Sequence, residues 1–185
     1  YYDPNLKRNR IAELKKNNKF IFYKIDLSDF NKIDKIIKKY KIKYVIHLAA
    51  FVGGLFRNLN YKVDMYEKNT VINYNVLKCA HDNGVKKVVS CLSTCIFPDK
   101  IEYPINETML HNGPPHSSND AYAYAKRMLE VHCKAYQEQY NDNFICVIPT
   151  NIYGPHDNYS LDDGHVIPAL ILIFLIFTRK SLKFV

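Results

Sequence analysis

Short apolar runs alternate along this chain with longer stretches of helical periodicity, and this alternation limits the possible folds more than any other feature. The runs have the length of buried β-strands: residues 20–25, 44–48, 85–92 and 144–149. The stretches have the length of helices: residues 69–82, residues 122–140, and a shorter one with Ile33, Ile36, Ile37 and Tyr40 after a capping Asp29. Alternating strands and helices are typical of a parallel sheet covered by helices. The sequence therefore predicts an α/β fold with helices on both faces of a parallel sheet.

The positive charge of the chain is concentrated in its first part. The net charge is +8, and residues 1–43 hold 13 lysines and arginines against 5 acidic residues, while residues 44–185 hold 13 of each. Such an excess attracts polyanions, either a phosphorylated cofactor or a nucleic acid. No aromatic–basic recognition motif accompanies the charge. We therefore interpret it as a solvated lysine-rich surface and predict no nucleic-acid partner.

Cysteine usage and hydropathy exclude several classes of protein. Five cysteines are an odd number, and none of them forms a Cys-x-x-Cys pair, so the sequence predicts neither a disulfide framework nor a metal site. Free thiols are typical of a reducing compartment, and we expect a cytoplasmic protein. The apolar stretch 171–177 is much shorter than the roughly 20 residues that a membrane span needs, so we predict no membrane segment.

A hydroxyl and a thiol follow one of the predicted strands. Ser93 and Cys95 come directly after the apolar residues of the run 85–92. Tyr122 and Lys126 follow on the next predicted helix, at an i, i+4 spacing that puts both on one face. In open α/β sheets, the chemistry takes place outside the carboxyl ends of the strands. The sequence thus predicts a site at which these four side chains meet.

The Tyr122–Lys126 pair can serve catalysis if the ammonium lies close to the phenol. An ordinary phenol has a pKa of about 10, and lowering this pKa by about three units takes roughly 4 kcal/mol. One ammonium about 4 Å away, at an effective dielectric constant of about 20, supplies roughly that energy. The alternative is a surface tyrosine and lysine on an amphipathic helix. The position of the pair after the strand that ends near Ser93 favours the catalytic interpretation.

Several specific motifs lie between residues 45 and 170. They are Val52-Gly53-Gly54, Ser93-x-Cys95-Ile96-Phe97-Pro98-Asp99-Lys100, Pro104-x-x-Glu107, Asn112-Gly113-Pro114-Pro115-His116, Tyr122-x-x-x-Lys126 and Pro149-Thr150-Asn151-x-Tyr153-Gly154-Pro155-His156-Asp157-Asn158. Together these motifs resemble those of the GDP-L-fucose synthases, which are extended short-chain dehydrogenase/reductases. The resemblance implies a Rossmann-like domain that binds NADPH and a nucleotide-sugar substrate, GDP-4-keto-6-deoxy-D-mannose.

The resemblance also implies a reaction and a role for each catalytic residue. The family epimerises the sugar at carbons 3 and 5 and then reduces the ketone at carbon 4. Cys95 and His165 stand where the family keeps its acid–base pair, and their ordinary pKa values of about 8.5 and 6.5 lie on either side of neutral pH. Ser93 is expected to bind the carbonyl oxygen and Tyr122 to give it a proton. Lys126 is expected to hold the cofactor ribose and to lower the pKa of Tyr122.

The same resemblance implies which residues contact the cofactor. The expected residues are Asp26, Leu27, Leu48, Ala49, Ala50, Leu92, Ser93, Thr94, Tyr122, Lys126, Pro149, Thr150, Asn151, Ile152 and His165. Two pairs of these residues also have an interpretation that involves no cofactor. Asp26 and Leu27 can belong to an ordinary helix cap, and the small residues Ala49 and Ala50 can simply permit a tight turn.

The chain departs from the family at its two ends. Its six glycines do not form the Gly-x-x-Gly-x-x-Gly turn that grips phosphate in this fold. We therefore expect the first glycine-rich βα unit to be lacking, residues 1–165 to form an incomplete NADP-binding domain, and NADPH binding by this chain alone to be weak. Residues 166–185 are expected to begin a truncated or divergent substrate-binding lobe.

The family resemblance also implies how the chain assembles, and two alternative functions stay open. The superfamily usually forms homodimers through two long helices, which here are the predicted helices 69–82 and 122–140. One alternative is a non-catalytic relative that acts as an interaction subunit. The other is a different nucleotide-sugar epimerase or dehydratase.

Overall fold

The computed structural model describes residues 3–161 and 166–181. The chain divides into two compact units, one of residues 24–150 and one of residues 1–23 and 151–185. The predicted change of domain between residues 165 and 166 falls inside the smaller unit and stays a prediction.

The larger unit contains a parallel sheet, as the sequence predicts. Its strands are β1 (Tyr44–His47), β2 (Lys87–Cys91) and β3 (Phe144–Val147), in the spatial order β1-β2-β3. The ladders place Tyr44 opposite Lys87, and Val88 opposite Phe144. The α/β class with a Rossmann-like parallel sheet is therefore confirmed.

Helices connect these strands and account for most of the remaining residues. In chain order they are α1 (Pro4–Leu14), α2 (Phe30–Tyr40), α3 (Leu55–Asn60), α4 (Lys62–Asp82), α5 (Asp120–Tyr140) and α6 (Val166–Ser181), of which α1 and α6 belong to the smaller unit. Two single 3₁₀ turns, Thr94–Ile96 and Glu107–Met109, lie between β2 and α5.

The core of the larger unit lies where α2, α4 and α5 pack together and against the sheet. Its buried residues come from all of these elements, for example Ile37 of α2, Leu77 of α4, Leu129 of α5 and Phe144 of β3. Burying one side chain of this size contributes roughly 1.5–3 kcal/mol. The core therefore fixes the start of α5 relative to the ends of the strands.

Local signals fix the ends of the helices as expected. Asp29 is the N-cap of α2, and its carboxylate accepts a hydrogen bond from the Lys32 backbone N–H at 3.2 Å. After α4, Gly84 adopts φ = +62°, a left-handed conformation that glycine takes at little cost. The N–H of Val85 then donates to the carbonyl oxygen of Ala80 at 3.0 Å, which closes the helix and turns the chain towards β2.

Two predicted elements differ from the observed ones. Residues 20–25 do not form a strand, because a strand needs a hydrogen-bonded neighbour and no strand in the described part of the chain pairs with them. Helix α4 begins at Lys62 and not near Asn69. The added turns were hidden in the sequence because Met65 is their one buried apolar side chain before the buried amide of Asn69.

The apolar stretch 171–177 lies on α6, in the smaller unit. Its large side chains are exposed there, and both Phe174 and Phe177 have 67% of their surface accessible. None of the helices that the structure describes is long and apolar enough to cross a membrane.

Candidate active site

Ser93 and Cys95 lie directly beyond the carboxyl end of β2. The strand ends at Cys91, Ser93 keeps extended backbone angles, and the chain then turns through Thr94–Ile96. The Ile96 N–H donates to the carbonyl oxygen of Ser93 at 3.2 Å, which folds Cys95 back beside Ser93. Both side chains are half-buried, as expected for groups in the wall of a cleft.

Helix α5 brings Tyr122 and Lys126 to the same place. Lys126 is only 2% exposed, and its ammonium donates a hydrogen bond of 2.7 Å to the carbonyl oxygen of Cys91 at the end of β2. The same ammonium lies 5.9 Å from the centroid of the Tyr122 ring. Four of the five expected catalytic side chains therefore meet at one edge of the sheet.

The electrostatics of this pair differ from the expectation. Burial raises the pKa of Tyr122, and the nearby thiols of Cys95 and Cys91 raise it further. Burial also lowers the pKa of the Lys126 ammonium. The expected lowering of the tyrosine pKa is absent from this structure because Lys126 bonds the Cys91 carbonyl oxygen and stands over the ring. Tyr122 therefore keeps its proton at neutral pH and has the form of a proton donor.

The Cys95 thiol also keeps its proton in this environment. Burial raises its pKa, and a hydrogen bond with Ser93 and the charge of Lys126 act in the opposite direction. Cys95 therefore interacts with both a hydroxyl and an ammonium of the candidate site.

A cavity of about 610 Å³ opens at this edge of the sheet, and of the four candidate catalytic residues Cys95 lines it. Thr94, Cys95, Ile148 and Thr150 form one wall, and the segment between β2 and α5 forms the rest. That segment adds polar residues that the sequence did not assign to the site, among them Glu107, His116 and Asn119. Glu107 and His116 belong to motifs on which the family resemblance rests, and these motifs were the one signal that could have assigned them to the site. The sequence of an irregular loop does not predict which side chains point into a cavity.

Most of the expected cofactor residues line up along one edge of the sheet. Leu48, Ala49 and Ala50 follow β1; Leu92, Ser93 and Thr94 follow β2; and Pro149 and Thr150 follow β3. Because the three strands are parallel, all these segments leave the sheet at the same edge, where ligands bind in open α/β sheets. Leu92 is buried in the core, so its contact with a ligand can only be through its backbone.

Asp26 and Leu27 form the turn that precedes α2. The carboxylate of Asp26 accepts a hydrogen bond from the Ser28 N–H at 2.9 Å, and the backbone hydrogen bond from Ser28 is the main cause that lowers its pKa. Leu27 packs against the core, and its carbonyl oxygen accepts a hydrogen bond of 3.0 Å from the Asn75 amide. These contacts belong to the turn before the helix, whose N-cap is Asp29, and a contact of Asp26 or Leu27 with the cofactor stays a prediction.

Three expected residues do not belong to the described part of the larger unit. Asn151 and Ile152 are exposed and belong to the smaller unit. His165, the fifth expected catalytic residue, lies outside the described residues.

Comparison with known proteins decides the family. A profile described as the NAD dependent epimerase/dehydratase family matches residues 3–176, which is nearly the whole chain. The chain belongs to this family. The residues beyond the carboxyl ends of β1, β2 and β3 therefore form the candidate active site of a member of this family.

Individual relatives confirm the resemblance to GDP-L-fucose synthases. The chain is 58% identical over 160 residues to a GDP-L-fucose synthase of Dictyostelium discoideum, which covers 85% of this chain and 50% of that protein. A probable GDP-L-fucose synthase of Drosophila melanogaster is 54% identical over 146 residues, which covers 79% of this chain and 46% of that protein. The chain spans about half the length of these curated relatives.

A solved structure gives the same result for the fold. The chain superposes with a TM-score of 0.72 on a GDP-L-fucose synthetase from Naegleria fowleri bound to NADP. The two are 50% identical, and the match covers 89% of this chain and 56% of that one.

Proposed function

We propose that this chain is the catalytic part of a GDP-L-fucose synthase, which converts GDP-4-keto-6-deoxy-D-mannose to GDP-L-fucose with NADPH. The observation that carries the proposal is the convergence of Ser93, Cys95, Tyr122 and Lys126 at one edge of the sheet, where Cys95 also lines a cavity of about 610 Å³. A cavity of this size is within the usual range for a small-molecule ligand.

The epimerisation requires groups that move protons next to a ketone. The ketone acidifies the hydrogens on its neighbouring carbons, so an acid and a base placed on either side can invert each carbon. Cys95 lines the cavity and keeps its proton, so it can donate one to the sugar or, once deprotonated, remove one. We assign His165 as its partner because it stands in the matching position of the family.

The reduction uses the other three residues. NADPH, when bound, supplies a hydride to the carbonyl carbon. Tyr122 gives its proton to the carbonyl oxygen, and Ser93 holds that oxygen by a hydrogen bond. The residues present fit the nicotinamide end of the cofactor: an ammonium has three donors, and the Cys91 carbonyl accepts from one of those of Lys126, which leaves two for ribose hydroxyls.

A chimera tests the proposed activity. This chain replaces the matched 160 residues of the Dictyostelium discoideum relative, which supplies the remaining half. We expect the chimera to oxidise NADPH when GDP-4-keto-6-deoxy-D-mannose is added and to form GDP-L-fucose. A folded chimera that binds NADPH without turnover would contradict the proposal and support a non-catalytic role.

We also propose that the chain forms a homodimer through α4 and α5. An apolar groove of about 420 Å³ lies between the two helices, lined by residues such as Tyr74, Met128, Val131 and Ala135. Several of these apolar side chains are exposed. The same two helices of a second copy are a suitable occupant, because a two-fold axis places the groove of one copy against the same groove of the other.

A cytoplasmic location is the remaining part of the proposal. All five cysteines are free thiols, which is usual in a reducing compartment.

A further inference from the structure

Two cysteines meet on the face of the sheet that α5 covers. Ser90 of β2 and Cys146 of β3 are register partners in the parallel ladder, so their side chains lie next to each other on the same face. The thiol of Cys133 on α5 donates a hydrogen bond of 3.7 Å to the Ser90 hydroxyl. Cys133 is therefore held over the place where β2 and β3 pair.

The packing of α5 on β3 brings Cys133 to Cys146 independently of Ser90. One turn further along the helix, the Tyr136 ring lies 5.3 Å from the ring of Phe144, and Gln137 bonds the Phe144 carbonyl oxygen. One helical turn back from Gln137 along α5 covers about 5.4 Å and leads to Cys133. Two residues forward from Phe144 along β3 cover about 6.6 Å and lead to Cys146. Because the helix runs antiparallel to the strand that follows it, both steps go in the same direction and leave the two cysteines next to each other.

Two of the other three cysteines are placed differently. The thiols of Cys79 and Cys91 donate to backbone carbonyl oxygens, those of Phe30 and Leu92, each at 3.6 Å. The thiol of Cys133 instead donates to a side-chain hydroxyl, that of Ser90, and a hydrogen bond from the Cys146 side chain lowers the pKa of Cys133. Because the thiolate is the form that attacks an oxidant, the cysteine with the lowered pKa, Cys133, is the nucleophile of the pair.

We propose that Cys133 and Cys146 form a reversible oxidation site, in which hydrogen peroxide converts the two thiols to a disulfide that fastens α5 to β3. Cys133 is 2% exposed and Cys146 is half-buried, so peroxide, which is nearly as small as water, approaches from the side of Cys146. The link lies two turns along α5 from Lys126, so it restrains the helix that carries the candidate catalytic pair.

The two steps of the reaction balance. The Cys133 thiolate attacks one oxygen of peroxide, the O–O bond breaks, hydroxide leaves, and Cys133 becomes a sulfenic acid. The sulfur of Cys146 then attacks the Cys133 sulfur, the S–O bond breaks, and water leaves with the Cys146 proton. Two electrons pass from the two thiols to peroxide, and a dithiol reductant returns the pair to its starting state.

Peptide mapping of the peroxide-treated chain tests the site. Lys134 lies between the two cysteines in sequence, so trypsin separates Cys133 from Cys146 unless a disulfide joins their peptides. We expect a linked peptide pair, lighter than the sum of its parts by the mass of two hydrogens, and a loss of two of the five titratable thiols. Dithiothreitol should restore both thiols.

Three variants separate this site from general thiol oxidation. Cys133→Ala and Cys146→Ala should each abolish the link, whereas Cys79→Ala should leave it unchanged. Peroxide that links other cysteines, or that drives single thiols to sulfinic acid with no linked pair, would overturn the proposal. Because mapping is done on the unsubstituted chain first, a variant that does not fold leaves that result in place.

Discussion

Lys126 carries its ammonium in a place that almost no water reaches. Its hydrogen bond to the Cys91 carbonyl oxygen holds the ammonium at the edge of the sheet and keeps it from the phenol of Tyr122. The residue satisfies a strand carbonyl, and the proposed function gives its remaining donors to the cofactor ribose.

Replacing Lys126 by methionine should affect both stability and cofactor use. The Cys91 carbonyl oxygen loses its partner, which should lower the free energy of unfolding by about 1–3 kcal/mol in urea titrations of this chain. In the chimera, the KM for NADPH should rise and kcat should fall, by about 10²-fold together, as for the loss of one fixed donor. Lys134→Met, on the exposed side of the same helix, is the matched control. Equal kinetics for the two variants would contradict the assigned role.

The sequence predicts which residues form the candidate site better than it predicts the pKa values of those residues. The i, i+4 spacing correctly places Tyr122 and Lys126 beside the end of β2. The pKa of Tyr122 moves opposite to the expectation because burial, which spacing does not report, outweighs one ammonium that is bonded elsewhere. Glu107, His116 and Asn119 reach the cavity from an irregular segment, where no periodicity predicts direction.

Among the elements, β1 and α4 are joined by a buried pair of polar side chains. Nε2 of His47 on β1 lies 2.9 Å from Oδ1 of Asn73 on α4, and Nδ2 of Asn73 donates to the Ala125 carbonyl oxygen of α5 at 3.3 Å. His47 is 3% exposed, and burial is the main cause that lowers its pKa. The neutral ring thus links three elements.

This histidine should make the stability of the chain depend on pH. A lowered pKa means that the unfolded state binds the proton first, so the contribution of His47 is complete above about pH 6.5 and is lost as pH falls below it. The free energy of unfolding should decrease by up to about 1.4 kcal/mol per pH unit for this one proton. His47→Gln should flatten the dependence measured between pH 7 and pH 5. A dependence that stays equally steep in the His47→Gln variant would argue against burial as the cause.

The sequence predicts elements well where a cap or a buried face marks them. The Asp29 cap lies where expected. The run 20–25 has a strand-like pattern, but a pattern does not provide the neighbouring strand that its hydrogen bonds need. The start of α4 was missed because its first turns bury little.

For the whole molecule, the exposed apolar residues of α4 and α5 lead to a prediction about assembly. Val131→Glu places a charge in the groove between the two helices and should convert the proposed dimer to a monomer in sedimentation velocity experiments. Leu14→Glu, at an exposed apolar position on α1, should leave the dimer intact. Dimers that persist in the Val131 variant would place the interface on another surface.

In the proposed mechanism, Cys95 and His165 move protons and Tyr122 completes the reduction. The chimera in heavy water tests these roles when NADPH oxidation and deuterium uptake by the sugar are measured separately. Tyr122→Phe should stop the oxidation and leave deuterium uptake in place, whereas Cys95→Ser should slow deuterium uptake. If either variant leaves both rates unchanged, the assignment of roles is wrong.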